Sequence, residues 1–305
     1  MPIIYDPPVI PLFPLVDLTG TTIVWRDLTL YGSKDAGRFS FYDWSGWEDL
    51  PDPRQDSLER PQQHGRFDAP VFGQERHVIV SGRCQSAVER DAMLLELQAS
   101  FNFHAPDELP LTITHAGRTL IAYARLLRFK PVSPDWGAGF IGWAAEWVCS
   151  DPIRYGQPVP VSTVFPVLAG GLEYDLYSDG TTDTGFLEFG AASATGRIVV
   201  TNPGNEDASP QFEIAGPLPA EGMEIVTVGT GARDRFVGGV SVGSVLLIDT
   251  GTGLVLIDGY ADRSGLLTVR DLAPIPPGGS AEYEFIPLGT FSTAQLTATV
   301  SPGFW

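Results

Sequence analysis

Arg76-His77-Val78-Ile79-Val80-Ser81-Gly82, followed by Ser86-Ala87-Val88-Glu89 and the run to Phe101, decides how this chain reads. The first seven residues are β-branched at the centre and read as a strand that ends at Gly82. Ser86 to Glu89 fits a capping box: the Ser86 hydroxyl accepts from the N–H three residues on, and Glu89 reaches back to the N–H of Ser86. From there Val88, Ala92, Leu95 and Ala99 share one face at helical spacing, with Leu94, Leu97 and Phe101 widening it. The spacing predicts one helix over about 86–101. Short helices are marginal alone in water, so this one must lie against a sheet.

The rest of the chain is β-patterned. At 305 residues, with 34 Gly, 26 Pro and 43% hydrophobic residues, it is long enough for two cores and rich in turns. Thr21–Tyr31 reads as a strand or a bent strand pair, and Arg38–Tyr42 as a continuation of its sheet. Leu111–His115 and Thr119–Leu127 flank Ala116-Gly117 as a hairpin, and Ala138–Cys149 reads as a buried strand carrying Phe140, Trp143 and Trp147. Ser150-Asp151-Pro152 through Gln157-Pro158 breaks the pattern. The expected division is therefore 1–157, a barrel-like sheet domain with one helix, and 158–305, a β-sandwich.

That second part has no helical pattern. Candidate strands recur at Arg197–Thr201, Gln211–Ala215, Glu224–Val228, Val245–Ile248, Leu254–Ile257, Leu266–Arg270, Glu282–Pro287 and Gln295–Val300, separated by Gly/Pro/Asn turns. This spacing predicts a sandwich of jelly-roll or related topology.

Net charge is −18, of which −6 falls on residues 1–157 and −12 on 158–305. So acidic a chain repels phosphate backbones and anionic membranes, which argues against sequence-independent nucleic-acid binding and membrane docking. Cys84 and Cys149 are too few for a disulfide framework and read as buried free thiols, in keeping with synthesis in a reducing cytoplasm. Residues 1–16 hold five prolines and no basic leader, so they read as an extended arm, neither signal peptide nor anchor.

Chemistry-bearing patterns are sparse. Asp249-Thr250-Gly251 matches an aspartic-protease loop, but that chemistry needs two carboxylates, and its apolar flanks make it a hairpin. Asp258 to Gly265 lacks EF-hand spacing and reads as a solvated turn. His64, His77, His104 and His115 are scattered without zinc spacing, and neither a phosphate loop nor a nucleophile elbow occurs. The expectation is a non-enzyme with no catalytic, cofactor or metal residues. A glycan site on the sandwich would need an exposed flat ring, for which Trp305, Tyr174, Tyr177, Tyr260 and Tyr283 are the candidates.

Trp44–Gly73 stands apart: thirty residues with four prolines, two tryptophans, many charges and no periodicity. Long segments of this kind are functional or disordered. Rings as large as Trp44 and Trp47 favour an intermolecular contact over a flexible loop, which makes Trp44, Trp47, Arg60, Arg66 and Phe72 the candidate subunit contacts.

Taken in order, Arg76–Gly82 leading into Ser86–Phe101, Leu109-Pro110-Leu111-Thr112, the hairpin at Gly117, Val199-Val200-Thr201-Asn202-Pro203-Gly204, Ser209-Pro210, Gly216-Pro217, Leu246–Asp249, Pro277-Gly278-Gly279-Ser280 and Pro302-Gly303-Phe304-Trp305 resemble the distal tail protein of long-tailed, non-contractile bacteriophages. The resemblance spans nearly the whole chain, and the Trp44–Gly73 segment departs from it. It implies a structural virion protein of the tail tip. Six copies would form a ring through the N-terminal domains, joining the tail tube protein to the tip protein that carries the receptor-binding apparatus. Galectin-like or carbohydrate-module-like second domains would project outward. The acidity of this chain would leave DNA free to slide through such a ring, with the acids lining its lumen as the hypothesis. The alternative is an adhesin module binding a host surface glycan through the sandwich.

Overall fold

The computed structural model describes residues 18–32, 39–55, 57–85, 90–101, 107–132, 140–166, 172–173, 188–189, 194–289 and 293–305. The chain divides into two compact units, Met1–Pro152 and Ile153–Trp305.

The first unit contains β1 (Thr22–Trp25), β2 (Leu28–Tyr31), β3 (Phe39–Ser45), β4 (Pro53–Gln55), β5 (Val71–Gly73), β6 (Arg76–Gln85), α1 (Arg90–Ser100), β7 (Leu109–His115), β8 (Arg118–Val132) and β9 (Phe140–Cys149). Seven of these strands run in the order β8-β7-β1-β2-β3-β6-β9, and β8 pairs with β9 to close a barrel. Closure is possible because β8 is fifteen residues long: its first half pairs with β7 and its second half with β9. A bulge between Leu126 and Arg128 bends it from one partner to the other. Thr21–Tyr31 resolves into the β1–β2 hairpin, turned by Arg26 at φ 53°.

Alternation sends Ile23, Trp25, Val78, Val80, Ile113, Ala122, Trp143 and Trp147 into the barrel core. The end of α1 is seated there. Phe101 lies 4.7 Å from Phe129, 5.6 Å from Trp147 and 6.1 Å from Trp143, and the Trp25 indole donates to the Ser100 carbonyl at 3.2 Å.

Two sequence expectations need correction here. The helix does not bury Ala92, Leu95 and Ala99; it buries Leu97 and Phe101, with Leu94 half-buried, and leaves Leu95 67% exposed. The aromatic-lined barrel accepts the larger Leu97/Phe101 side chains, so the face turned inward is the bulkier one. The capping box at 86–89 lies outside the described residues, as do 1–16, His104, Tyr174 and Tyr177. Gly82 does not end its strand either. β6 continues to Gln85, and Gly82 is the slot in which the Trp143 ring lies, where any Cβ would collide with it.

The second unit contains β10 (Arg154–Tyr155), β11 (Val159–Val164), β12 (Leu172–Glu173), β13 (Glu188–Phe189), β14 (Arg197–Thr201), β15 (Gln211–Ala215), β16 (Met223–Thr227), β17 (Arg233–Phe236), β18 (Val245–Asp249), β19 (Val255–Ile257), β20 (Ala261–Asp262), β21 (Leu267–Arg270), β22 (Ser280–Pro287), β23 (Gln295–Val300) and β24 (Gly303–Phe304). A six-stranded sheet, β11-β23-β15-β18-β19-β20, packs on a five-stranded sheet, β14-β22-β16-β17-β21. Phe212, Ile214, Leu246, Ile248 and Leu296 from the first meet Ile198, Met223, Ile225, Phe236, Tyr283 and Phe285 from the second in one apolar core. The expected mainly β fold, a barrel-like sheet with one helix and then a sandwich, is what the chain adopts.

The pattern misses β17 and β11. β17 reads Arg-Asp-Arg-Phe, too charged for a strand, yet Asp234 is buried because its carboxylate accepts the N–H groups of Asp271 (2.9 Å) and Leu272 (3.2 Å). Burial raises its pKa above the ordinary carboxylate value despite those bonds. β11 contains Pro160, which is tolerated because the strand pairs only with β23 at the sheet edge.

Candidate assembly surface

Trp44–Gly73 has a root and an arm. The root is built into the barrel. Trp47 is buried (1% exposed), and the half-buried Trp44 ring packs 5.1 Å from His115 and 6.3 Å from Phe41. Gly46, at φ 79°, presses so close to the His77 carbonyl that a Cβ would collide with it. Its N–H donates to the Asp49 carboxylate at 2.8 Å. The buried Arg76 guanidinium fastens the root: Nη1 donates to the carbonyls of Gly46 (2.8 Å), Trp47 (3.0 Å) and Asp49 (2.6 Å), and Nε to that of Pro152 (2.8 Å). One charged side chain thus satisfies carbonyls that the turn leaves without strand partners.

Beyond the root the chain forms a β-ribbon where the sequence shows no period. β4 pairs antiparallel with β5, Gln74 N–H donates to Asp52 O at 2.8 Å, and Phe67 N–H to Leu58 O at 2.9 Å. An isolated antiparallel backbone pairing of Glu59 with Arg66 and the turn closed by Arg60 N–H to Gly65 O finish the tip. The signal that replaces alternation is cation on aromatic: Arg54 sits 5.8 Å from the Phe72 ring centroid and Arg60 5.4 Å from that of Phe67.

The arm has no core. Leu58 (74%), Val71 (61%), Phe72 (55%) and Phe67 (54%) are exposed, with Leu50 beside them. An isolated two-stranded ribbon is marginal in water, and contiguous exposed apolar side chains mark interaction surfaces.

The five candidate contacts therefore separate. Arg60, Arg66 and Phe72 lie exposed on the arm, whereas Trp47 is spent on the barrel interior and Trp44 is half-buried at the root. Trp47 is withdrawn as a contact residue, because a ring with 1% exposure has no surface left to offer. Leu58, Phe67 and Val71 belong to the same surface and carry no signal beyond being apolar in a polar stretch.

The other patterns resolve into structure. Asp249 Oδ1 accepts from Gly251 N–H (2.9 Å) and Thr252 N–H (3.3 Å) in the β18–β19 hairpin, so its carboxylate serves its own loop. Asp258 accepts from Val245 N–H, and Asp262 from Ser264, whose hydroxyl and N–H hold its pKa below the ordinary value. Cys84 and Cys149 are buried and free, and burial pushes the Cys149 thiol up to about 12. Of the ring candidates, Tyr260 is 80% exposed, Tyr283 is buried, and the Trp305 indole donates to Glu206. Among the described residues no group of three His, Cys, Asp or Glu could hold a metal ion, and no helix is long and apolar enough to cross a membrane.

No family model and no curated protein matches the sequence. Among solved structures, the crystal structure of the SPP1 Dit (gp 19.1) protein, described as a paradigm of the hub adsorption apparatus in phages infecting Gram-positive bacteria, matches with a TM-score of 0.63 at 14% identity. The match covers 93% of this chain and 99% of that one. The phage P2 baseplate in its activated conformation with Ca is a weaker likeness, TM-score 0.47 at 12% identity over 92% of this chain. The chain thus has the fold of a phage tail hub protein over nearly its whole length, the fold that the sequence resemblance implies.

Proposed function

We propose that this chain is a structural virion protein, the distal hub of a long, non-contractile phage tail. In this reading six copies close a ring through residues 1–157, joining the tail tube protein on one side to the tip and receptor-binding proteins on the other. Residues 158–305 project outward and neither part carries out chemistry or holds a cofactor. The observation that carries the proposal is the two-sided coverage of the SPP1 Dit match: the likeness includes both units in order, not one common β module. The coreless arm supports it, because a monomer gains nothing from holding Leu58, Phe67, Val71 and Phe72 in water. In the ring, Arg60, Arg66 and Phe72 contact a neighbour, while Trp44 shapes the root.

Negative-stain images of the concentrated full-length protein, alone and with its tail partners, test this. Annular particles with sixfold symmetry are expected. A monomer at every concentration, with no ring in tail preparations, would overturn the reading.

A further inference from the structure

Among the described residues, Asp234 is the one buried carboxylate, 3% exposed on β17. Both of its hydrogen bonds come from backbone amides and end on the same oxygen, Oδ1: Asp271 N–H at 2.9 Å and Leu272 N–H at 3.2 Å. The groups around it do not neutralise its charge. Ile225 lies opposite it on β16, and the inward residues of the six-stranded sheet, Phe212, Ile214, Leu246, Ile248 and Leu296, are apolar. Arg270, its cross-strand partner on β21, is exposed and donates from Nη2 to the Ser264 carbonyl at 2.9 Å. Arg233 and Arg235 flank it with side chains on the outer face, where Arg235 Nε lies 3.8 Å from the Glu224 carboxylate. Asp271 adds a second negative charge beside it. Tyr283 on β22 is buried in the same core, and among the described residues its hydroxyl makes no hydrogen bond.

The two donor amides belong to a strap. Residues 271–279 leave β21 and lead into β22, with Leu272 packed against the core and Ile275 buried in it. At the middle of the strap Ile275 and Ala208 exchange N–H···O bonds of 2.8 and 3.0 Å, and the buried Asn202 donates from Nδ2 to the Ile275 carbonyl at 2.9 Å. Between β21 and Ile275 the hold on the strap is the Asp234 carboxylate.

We propose that Asp234 makes this strap a proton-linked closure: with a proton on the carboxylate, residues 271–274 stay seated, and loss of the proton favours their release. The inference concerns the second unit alone and stands apart from the assembly reading. A buried carboxylate without a paired cation is costly as an ion. A proton taken from water settles on Oδ2, removes the charge and leaves Oδ1 to accept both amides. Once ionised, the carboxylate reaches water at least cost by lifting its own two donors, which lie in a segment without strand partners. The sign agrees. Burial raises Asp234 above the ordinary carboxylate value, against the pull of its two amides and of Arg270. A carboxyl raised on folding contributes stability that is whole below its unfolded value and is lost as pH rises through the folded one. Tyr283 feels the same surroundings: burial, and then the Asp234 charge, push its phenol up to about 12.

Hydrogen exchange of the full-length protein tests this, followed by mass spectrometry from about pH 4 to about pH 7.5 and corrected for intrinsic exchange. In the wild type the amides of Asp271 and Leu272 should lose protection by about fivefold or more as pH rises, while those of β15 stay constant. D234N keeps an accepting oxygen and carries no charge, so it should hold the acid-level protection over the whole range. R270Q removes an attracting cation and should shift the loss to higher pH, which keeps the inference testable if D234N does not fold. Protection that is flat with pH in the wild type overturns the inference, and so does a loss left in place in R270Q. A pH dependence that survives D234N assigns it to another group, and lower protection in D234N at every pH makes the charge a fastener; either result also ends the proposal. None of these outcomes bears on ring formation, which the images test separately.

Discussion

The β7–β8 hairpin and the β4–β5 arm are antiparallel ribbons of the same unit, and they are stabilised in opposite ways. β7–β8 turns tightly through Ala116 and Gly117, both at positive φ, and buries Leu111, Ile113, Leu120, Ala122 and Ala124 in the barrel. The arm turns loosely, leaves Leu58, Phe67, Val71 and Phe72 exposed, and is held where it leaves the barrel by Arg76, Gly46 and Trp47. The first ribbon is a product of its own chain's core. The second is a product of its anchorage, and its apolar residues remain available to another surface. The root tells the same lesson in reverse: its most polar residue, Arg76, is among the most buried in the unit.

The sharpest way to break this comparison is to truncate an aromatic in each region. Trp147→Ala, in the barrel, is expected to cost about 3–5 kcal/mol in urea unfolding. Phe72→Ala, on the arm, should stay within about 0.5 kcal/mol for the monomer, as surface changes do. A large loss at Phe72 in the monomer would mean that the arm is part of the core after all.

The next largest effect is expected at the root. Arg76→Met keeps the aliphatic stem and strips the donors from four carbonyls, the one of Trp47 buried and those of Gly46, Asp49 and Pro152 partly so, for about 2–4 kcal/mol. Limited proteolysis should then cut first near residues 46–50. Protection equal to the wild type would show that the arm is held by something other than Arg76.

The smallest effect concerns Cys149, beside Arg76. Its thiol is raised to about 12, mainly by burial and against the lowering influence of Arg76. The folded barrel therefore keeps this proton while the unfolded chain releases it near ~8.5. The sign follows: stability falls as pH rises from that unfolded value toward the folded one, and Cys149→Ala flattens the slope. Thermal melts across mildly alkaline pH measure it, and identical slopes in both proteins would refute the assignment.

How much of this was legible depended on whether the local pattern matched the local burial. β14, β15 and β23 follow the sequence residue for residue, because strict alternation there meets one covered face and one open face. β17 escaped because its buried residue is an aspartate satisfied by amides 37 and 38 positions away. The helix face was misjudged because seven apolar residues offered two faces, and only the barrel's aromatic interior chose between them. On the arm, Arg60, Arg66 and Phe72 stand out by type, but nothing in the string distinguishes the exposed Phe72 from the buried Trp47.

The sequence by itself determined the periods: short alternating strands in two parts, one helix among them, and an acidic balance of charge. Those properties are local, set by side-chain spacing along a few residues of backbone. Only the tertiary structure decided that β8 closes back onto β9, that Arg76 reaches the turn at Gly46, and that the large apolar side chains of the arm are left exposed. Those outcomes depend on contacts between residues far apart in the chain, which no local period encodes.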